Sequence, residues 1–154
     1  MAAMNYLIEI DTKKGGRDPH GAHIQHDIKE MGVTAVSEVR FYPLYAVEGD
    51  ISKADIEAIA AKLLIDPITE TYRINPSTAP GASSHIVEVW LKHGVTDTVA
   101  GSVLKAVQDL GIKKMLSVKT GQKFVLKGKL SKGAAQQLAE RLLVNPMIQT
   151  YSIK

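Results

Sequence analysis

Two periods of apolar positions alternate along this chain. The stretches 6–10 and 85–91, Y-L-I-E-I and H-I-V-E-V-W-L, are rich in β-branched residues, which is typical of strands. Each is followed by apolar positions spaced i, i+4, i+7, which predict a helix with one buried face. These positions are Ile24, Ile28 and Met31 in the first case and Val103, Val107 and Leu110 in the second.

Start and stop signals bound the predicted helices. Asp18 and Asp97 stand where an N-cap belongs, and Gly32 and Gly111 where helices commonly end. A second helix opens at Ser52 in one half and at Ser131 in the other. It ends before the prolines of D-P (66–67) and N-P (145–146), because the residue before proline is pushed out of helical space.

A hairpin is predicted between the two helices of each half. In the second half we place its turn at K-T-G-Q (119–122). The following segment, K-F-V-L-K-G-K-L (123–130), alternates apolar and basic residues. This alternation is typical of a sheet covered on one face and exposed on the other.

The chain is a tandem repeat. A shift of 79 residues aligns positions 7–74 with 86–153 without a gap, with sixteen identities. The sequence therefore predicts a first repeat over 1–75, a linker over 76–84 and a second repeat over 85–154. Each repeat reads as βαββαβ, which predicts an α+β fold: antiparallel sheets with helices on one face. We expect the two units to pack as a pseudo-twofold dimer with a shared core.

Composition narrows the class of protein. Without cysteine, the chain can hold no disulfide and no thiol nucleophile. The first twenty residues lack the long apolar run of a signal peptide or membrane span, so we expect a soluble, cytoplasmic protein. The net charge of +3 divides into −4 over residues 1–75 and +7 over 76–154. Such a division suggests an oriented partner or an anionic ligand for the second half.

No known catalytic motif is present, and we assign no catalytic, cofactor-binding or metal-binding residue. His20, His23 and His26 are spaced by three, which swings around a helix, so an exposed helix face is favoured over a metal site. The stretch 13–21, K-K-G-G-R-D-P-H-G, resembles a phosphate-binding turn. Asp18 places a carboxylate where the anion would sit, so a tight strand-to-helix turn is favoured.

The basic residues of the predicted hairpin are the candidate interface. We expect an acidic protein surface as their partner, with a plain solvated face as the alternative. Nucleic acid is disfavoured, because the only aromatic residue there, Phe124, lies on the predicted core face. The interface residues are Lys119, Lys123, Lys127 and Lys129.

Several of these motifs together resemble the PurS family, the small subunit of phosphoribosylformylglycinamidine synthase. The first repeat supplies G-R-D-P-H-G (16–21) and V-S-E-V-R (36–40). The second supplies L-G (110–111) and the closing stretch 141–153, R-L-L-V-N-P-M-I-Q-T-Y-S-I. The second repeat departs from the pattern at Thr98-Val99-Ala100, where P-x-G is expected.

The resemblance implies a small α+β module that pairs and carries no catalytic residues. It implies two partners, an ATP-using synthetase subunit and a glutaminase subunit that supplies ammonia. It implies no cofactor, nucleic acid or membrane, and leaves further homo-oligomers open. Two alternatives are a ligand-binding regulatory module similar to ACT domains and a small ferredoxin-like enzyme. The latter would need a pocket acid or base, and we can nominate none.

Overall fold

A computed structural model describes residues 4–16, 18–77, 79–112, 114 and 116–154. Arg17 of the predicted strand-to-helix turn and Thr78 of the predicted linker lie outside these residues. The elements of the first repeat are β1 (Met4–Thr12), α1 (Pro19–Glu30), β2 (Val36–Gly49), α2 (Lys53–Ile59) with a π-helical turn (Ala60–Leu64), and β3 (Glu70–Ile74). Those of the second are β4 (Ser84–Leu91), α3 (Thr98–Asp109), β5 (Leu116–Gly128), α4 (Lys132–Leu138) with a π-helical turn (Ala139–Leu143), and β6 (Gln149–Ile153).

The strands form an antiparallel sheet with the order β3-β1-β2-β5-β4-β6. The predicted α+β class is therefore confirmed. The predicted helix boundaries are confirmed as well, because the side chains of Ser52 and Ser131 accept N-cap hydrogen bonds at 3.1 Å. Gly32 and Gly111 follow α1 and α3 with φ of 86° and 99°, a backbone conformation that favours glycine.

The predicted hairpin turn at 119–122 is wrong. Residues 116–128 form one strand, as do residues 36–49, so the two middle strands of each repeat are joined end to end. The reason is that the two halves of each long strand serve different cores. Val36 and Val39 at the start of β2 pack in one hydrophobic cluster, and Val47 near its end packs in the other. A hairpin would have returned both halves to the same core.

The first compact unit comprises residues up to 16, 43–76 and 96–121. Its core contains the inward positions of β1 and α2 from the first repeat, together with α3 from the second. Buried members of this cluster are Tyr6, Ile8, Ile10, Ile56, Ile59, Ala60, Ala100 and Val107. Burying each large side chain contributes about 1.5–3 kcal/mol, so Val107 gives α3 a direct share in the stability of this unit.

The second compact unit comprises residues 17–42, 77–95 and 122–154. Here the helix from the other repeat is α1, which packs on β4, β5 and α4. Buried members of this cluster are Ile24, Ile28, Val87, Val89, Phe124, Leu126, Leu138 and Leu143. Each compact unit therefore takes the first helix of one repeat and most of the remaining elements of the other.

Gly128, at the end of β5, lies very close to two other backbone segments of the second unit. Its φ is +143°, and a Cβ built on it would lie 1.9 Å from the carbonyl oxygen of Ala35. Its backbone N–H donates to the carbonyl of Ser83 at 2.9 Å. Because the chain passes so closely on both sides, only glycine fits at this position.

Candidate docking surface

Three of the four predicted interface lysines lie in the second unit and one in the first. Along β5, Phe124 and Leu126 point into the core, so Lys123 and Lys127 lie on the opposite face, as the alternation predicts. Lys127 is exposed, and so is Lys129, just beyond the end of the strand. In the first unit, exposed Lys119 lines a cavity of about 210 Å³ together with Glu48.

Lys123 differs from the other three, because only 8 % of it is exposed. Its Nζ lies 4.8 Å from the centre of the Tyr42 ring, within the range of a cation–π interaction. In the repeat alignment, the position equivalent to Lys123 is Leu44, which is 1 % exposed. The second repeat therefore keeps a buried position with a longer side chain, whose aliphatic stem packs while its charge contacts an aromatic face.

Lys127 forms a surface ion pair. Its Nζ lies 3.7 Å from Oε2 of Glu38, and both side chains are about half exposed. A pair of this kind contributes less than about 1 kcal/mol to stability, since water competes for both charges. Lys127 can therefore exchange Glu38 for an acidic group of a partner at little cost.

The three histidines of α1 contact separate neighbours. The ring of His20 stacks on Phe41 with centroids 3.9 Å apart. His23 lies 3.5 Å from Asp27 and His26 lies 3.7 Å from Glu30, both pairs on the exposed side of the helix. Among the residues that the structure describes, no three His, Asp or Glu side chains are grouped so that they could hold a metal ion.

The start of α1, the alternative phosphate site, already contains a carboxylate. Asp18 Oδ1 accepts from the N–H of Gly21 and Oδ2 from the N–H of Phe41, each at 2.9 Å. Arg40 Nε lies 3.5 Å from the same Oδ2. Asp18 thus caps the helix and fastens it to the middle of β2, which explains the identity of Asp18 and Asp97 in the two repeats.

Asp97 makes the equivalent connection in the first unit. Its Oδ1 accepts from the N–H of Ala100 at 2.9 Å, and its Oδ2 from the N–H and hydroxyl of Thr120, each at 2.8 Å. Burial alone raises the pKa of this carboxyl group, but the hydrogen bonds from Ala100, Thr120 and Val99 together lower it below its ordinary value of 3.8.

We expect acid to remove the contribution of Asp97 to stability. A lowered pKa in the folded state means that the contribution is complete above pH 3.8 and is lost as the pH falls below it. Asp97→Asn cannot carry the charge, so its free energy of unfolding should depend less on pH than that of the parent. Urea titrations between about pH 2.5 and 6 measure this, and identical pH slopes for the two proteins would contradict it.

A tyrosine–glutamate hydrogen bond fastens the last strand of each repeat to its second helix. Tyr72 donates to Glu57, and Tyr151 donates to Glu140 at 2.6 Å. These bonds raise the pKa of both phenols, since each stabilises the protonated form. The repeat alignment does not reveal the pairing, because Glu57 and Glu140 occupy different positions of the repeat unit.

Both repeats keep one glutamate, but it has different partners in the two repeats. Glu9 is 1 % exposed and accepts from Arg73 Nη1 at 2.8 Å, while Arg73 Nη2 donates to Asp11 at 3.1 Å. In the second repeat, Glu88 accepts from Trp90 Nε1 at 3.2 Å. Trp90 stands where the first repeat has Asp11, and it thus gives this glutamate a different neighbour.

A second cavity of similar size lies elsewhere in the first unit. It encloses about 230 Å³ in the first unit and is lined by Leu104, Val107, Gln108, Lys114 and Leu116. Lys114 Nζ also lies 3.5 Å from Oδ2 of Asp55. In the part of the chain that the structure describes, none of the helices is both long and apolar enough to cross a membrane.

The fold is that of a duplicated α+β protein. The polar groups described above cap its helices and connect its strands to neighbouring elements. The family model of PurS, described as phosphoribosylformylglycinamidine (FGAM) synthase, matches residues 5–78 and again residues 84–154. The chain belongs to this family, and its repeats are two PurS units in tandem. It is a component of FGAM synthase, a ligase complex of purine biosynthesis. A search of curated proteins found no match.

Proposed function

We propose that this chain is a non-catalytic adaptor of FGAM synthase. In this role it holds a synthetase subunit, which uses ATP on formylglycinamide ribonucleotide, together with a glutaminase subunit that supplies ammonia. It acts in the cytoplasm, beside those subunits. The observation that carries the proposal is the double match to the PurS family. Supporting it, the polar groups described above are engaged in caps and in contacts within the fold.

We expect the chain to be needed for glutamine-dependent turnover. Omitting it from a mixture of synthetase and glutaminase subunits should lower glutamine-dependent product formation at least about tenfold, or about 1.4 kcal/mol. Ammonia-dependent formation should fall much less, because the synthetase then needs no docked glutaminase. Parallel assays with the two nitrogen sources measure this. Equal glutamine-driven turnover with and without the chain would refute the proposal, as would product formation by the chain alone.

We further propose that exposed lysines at the end of β5 contact an acidic surface of one of these subunits. Lys127 and Lys129 are exposed and belong to the half of the sequence that carries the charge of +7. Lys119 would contribute separately from the first unit. Lys123 contributes to the packing under this surface rather than to direct contact, because its charge lies over Tyr42 and its stem is buried.

Reversing the two exposed charges should weaken assembly. Lys127→Glu with Lys129→Glu is expected to lower the affinity for the complex about tenfold at low salt, with the difference shrinking as salt screens the charges. The matched control is Lys62→Glu with Lys105→Glu, which changes the net charge equally at two exposed lysines of the first unit. Sedimentation at several salt concentrations reports both affinities. Equal loss in the two variants would assign the effect to net charge alone.

A further inference from the structure

The last strand, β6, lies at one edge of the sheet and pairs with β4 alone. Lys154 exchanges hydrogen bonds with Ile86, and Lys92 donates to the carbonyl of Ile148, so even-numbered residues of β6 direct their N–H and C=O groups towards β4. In an antiparallel ladder such residues alternate with ones that point away. Gln149, Tyr151 and Ile153 therefore direct their backbone groups out of the sheet.

These outward groups make β6 an open edge. Among the described residues, no strand covers this side of β6. Gln149 uses its N–H within the preceding turn, where it donates to the carbonyl of Asn145 at 2.8 Å. The donors available to a docked strand are thus Tyr151 and Ile153, and the carbonyls of all three residues can accept.

The edge lacks the features that normally prevent pairing. Natural edge strands carry charges, proline or bulges that block another strand. The sequence of β6, Q-T-Y-S-I, has no charge and no proline, and it follows Met147 and Ile148, which are 81 % and 39 % exposed. The opposite edge strand, β3, carries Glu70 and Arg73, and Arg73 is bonded to Glu9 and Asp11.

We propose that β6 pairs antiparallel with the β6 of a second copy of this chain. The outward groups are their own complement about Tyr151. Each Tyr151 N–H would meet the carbonyl of the other Tyr151, and each Ile153 N–H would meet the carbonyl of Gln149. Such a twofold contact uses the same surface on both copies, and it closes as a dimer rather than growing into a filament.

The side chains fit this register. Residues opposite each other on neighbouring strands interact, and like charges there are destabilising. About Tyr151, Thr150 of one copy lies opposite Ser152 of the other, and both are exposed and uncharged. On β3 the same symmetry would place Thr71 opposite Arg73, which would have to leave the two carboxylates that it contacts.

The test is the oligomeric state of the full chain by sedimentation equilibrium over a wide concentration range. The parent should dimerise. Thr150→Lys with Ser152→Arg places cations opposite each other and should raise the dimer dissociation constant at least about tenfold. A long cation is tolerated at position 152, since the first repeat carries Arg73 at the equivalent place. The matched control is Thr71→Lys on β3, which should leave the constant unchanged.

A charge exchange separates pairing from unfolding. Mixing the chain that carries Thr150→Lys and Ser152→Arg with a chain that carries Thr150→Glu should restore a mixed dimer. The reason is that the guanidinium introduced by Ser152→Arg in one chain then faces the carboxylate introduced by Thr150→Glu in the other. A parent that stays monomeric throughout the range would overturn the proposal. So would a dimer that is weakened by Thr71→Lys but not by the β6 cations.

Discussion

Gly128→Ala should lower the free energy of unfolding by about 3–5 kcal/mol, from the clash of the new Cβ and the strained backbone together. The Cβ would lie 1.9 Å from the Ala35 carbonyl oxygen, and the φ of +143° is one that side chains rarely adopt. Since small domains are stable by only about 5–15 kcal/mol, this single methyl group should remove a large share of the stability. Urea unfolding monitored by circular dichroism measures the loss.

The control is another glycine of the same chain. Gly101 lies within α3, and a Cβ there would meet nothing within 4 Å. Gly101→Ala should therefore raise the free energy of unfolding by about 0.5–1 kcal/mol, because alanine loses less backbone entropy in a helix. If Gly128→Ala unfolds at the same urea concentration as the parent, the close approach to Ala35 does not hold.

Separating the two repeats should abolish the folded monomer. Residues 1–75 contain β1, α2 and β3 but lack α3, whose Ala100 and Val107 complete their core. Residues 85–154 lack α1 in the same way. Each large side chain that loses its burial costs about 1.5–3 kcal/mol, which is a substantial part of the about 5–15 kcal/mol by which a domain is stable. Circular dichroism and sedimentation of each fragment alone should show either an unfolded chain or a self-associated pair.

Mixing the fragments should restore the fold as an equimolar complex. The control is the whole chain cut by a protease at a site inserted in 79–82. This segment lies between β3 and β4, so the cut breaks neither strand and the two pieces should stay associated. A cooperatively unfolding monomer of 1–75 alone would refute the assignment of α3 to its core.

Local signals in the sequence were sufficient for the helices and their ends. Asp18, Asp97, Ser52 and Ser131 cap the helices that they were predicted to open, because a cap is decided by the residues beside it. The long strands were missed for the opposite reason. A T-G pair favours a turn locally, yet here distant partners in two cores keep the backbone extended through Gly121.

The sequence predicted which face of β5 carries the lysines, but it did not predict how far each lysine is buried. Alternation in β5 correctly separated lysines from core residues, but it could not show that Lys123 is buried. The repeat itself held the signal, since Lys123 aligns with Leu44, an apolar residue in the middle of a strand. Periodicity likewise identified the apolar faces of α1 and α3, but a periodic pattern cannot say which repeat supplies the opposing surface.

The exchange of α1 and α3 makes the duplication hard to reverse. Deleting the second copy would remove α3 from the core of the first unit, and deleting the first copy would remove α1 from the core of the second. A substitution that enlarges a side chain on α1 must be accommodated by β4, β5 and α4, more than fifty residues further along the chain. Substitutions in the two halves should therefore be correlated, because each half packs against a helix that the other half encodes.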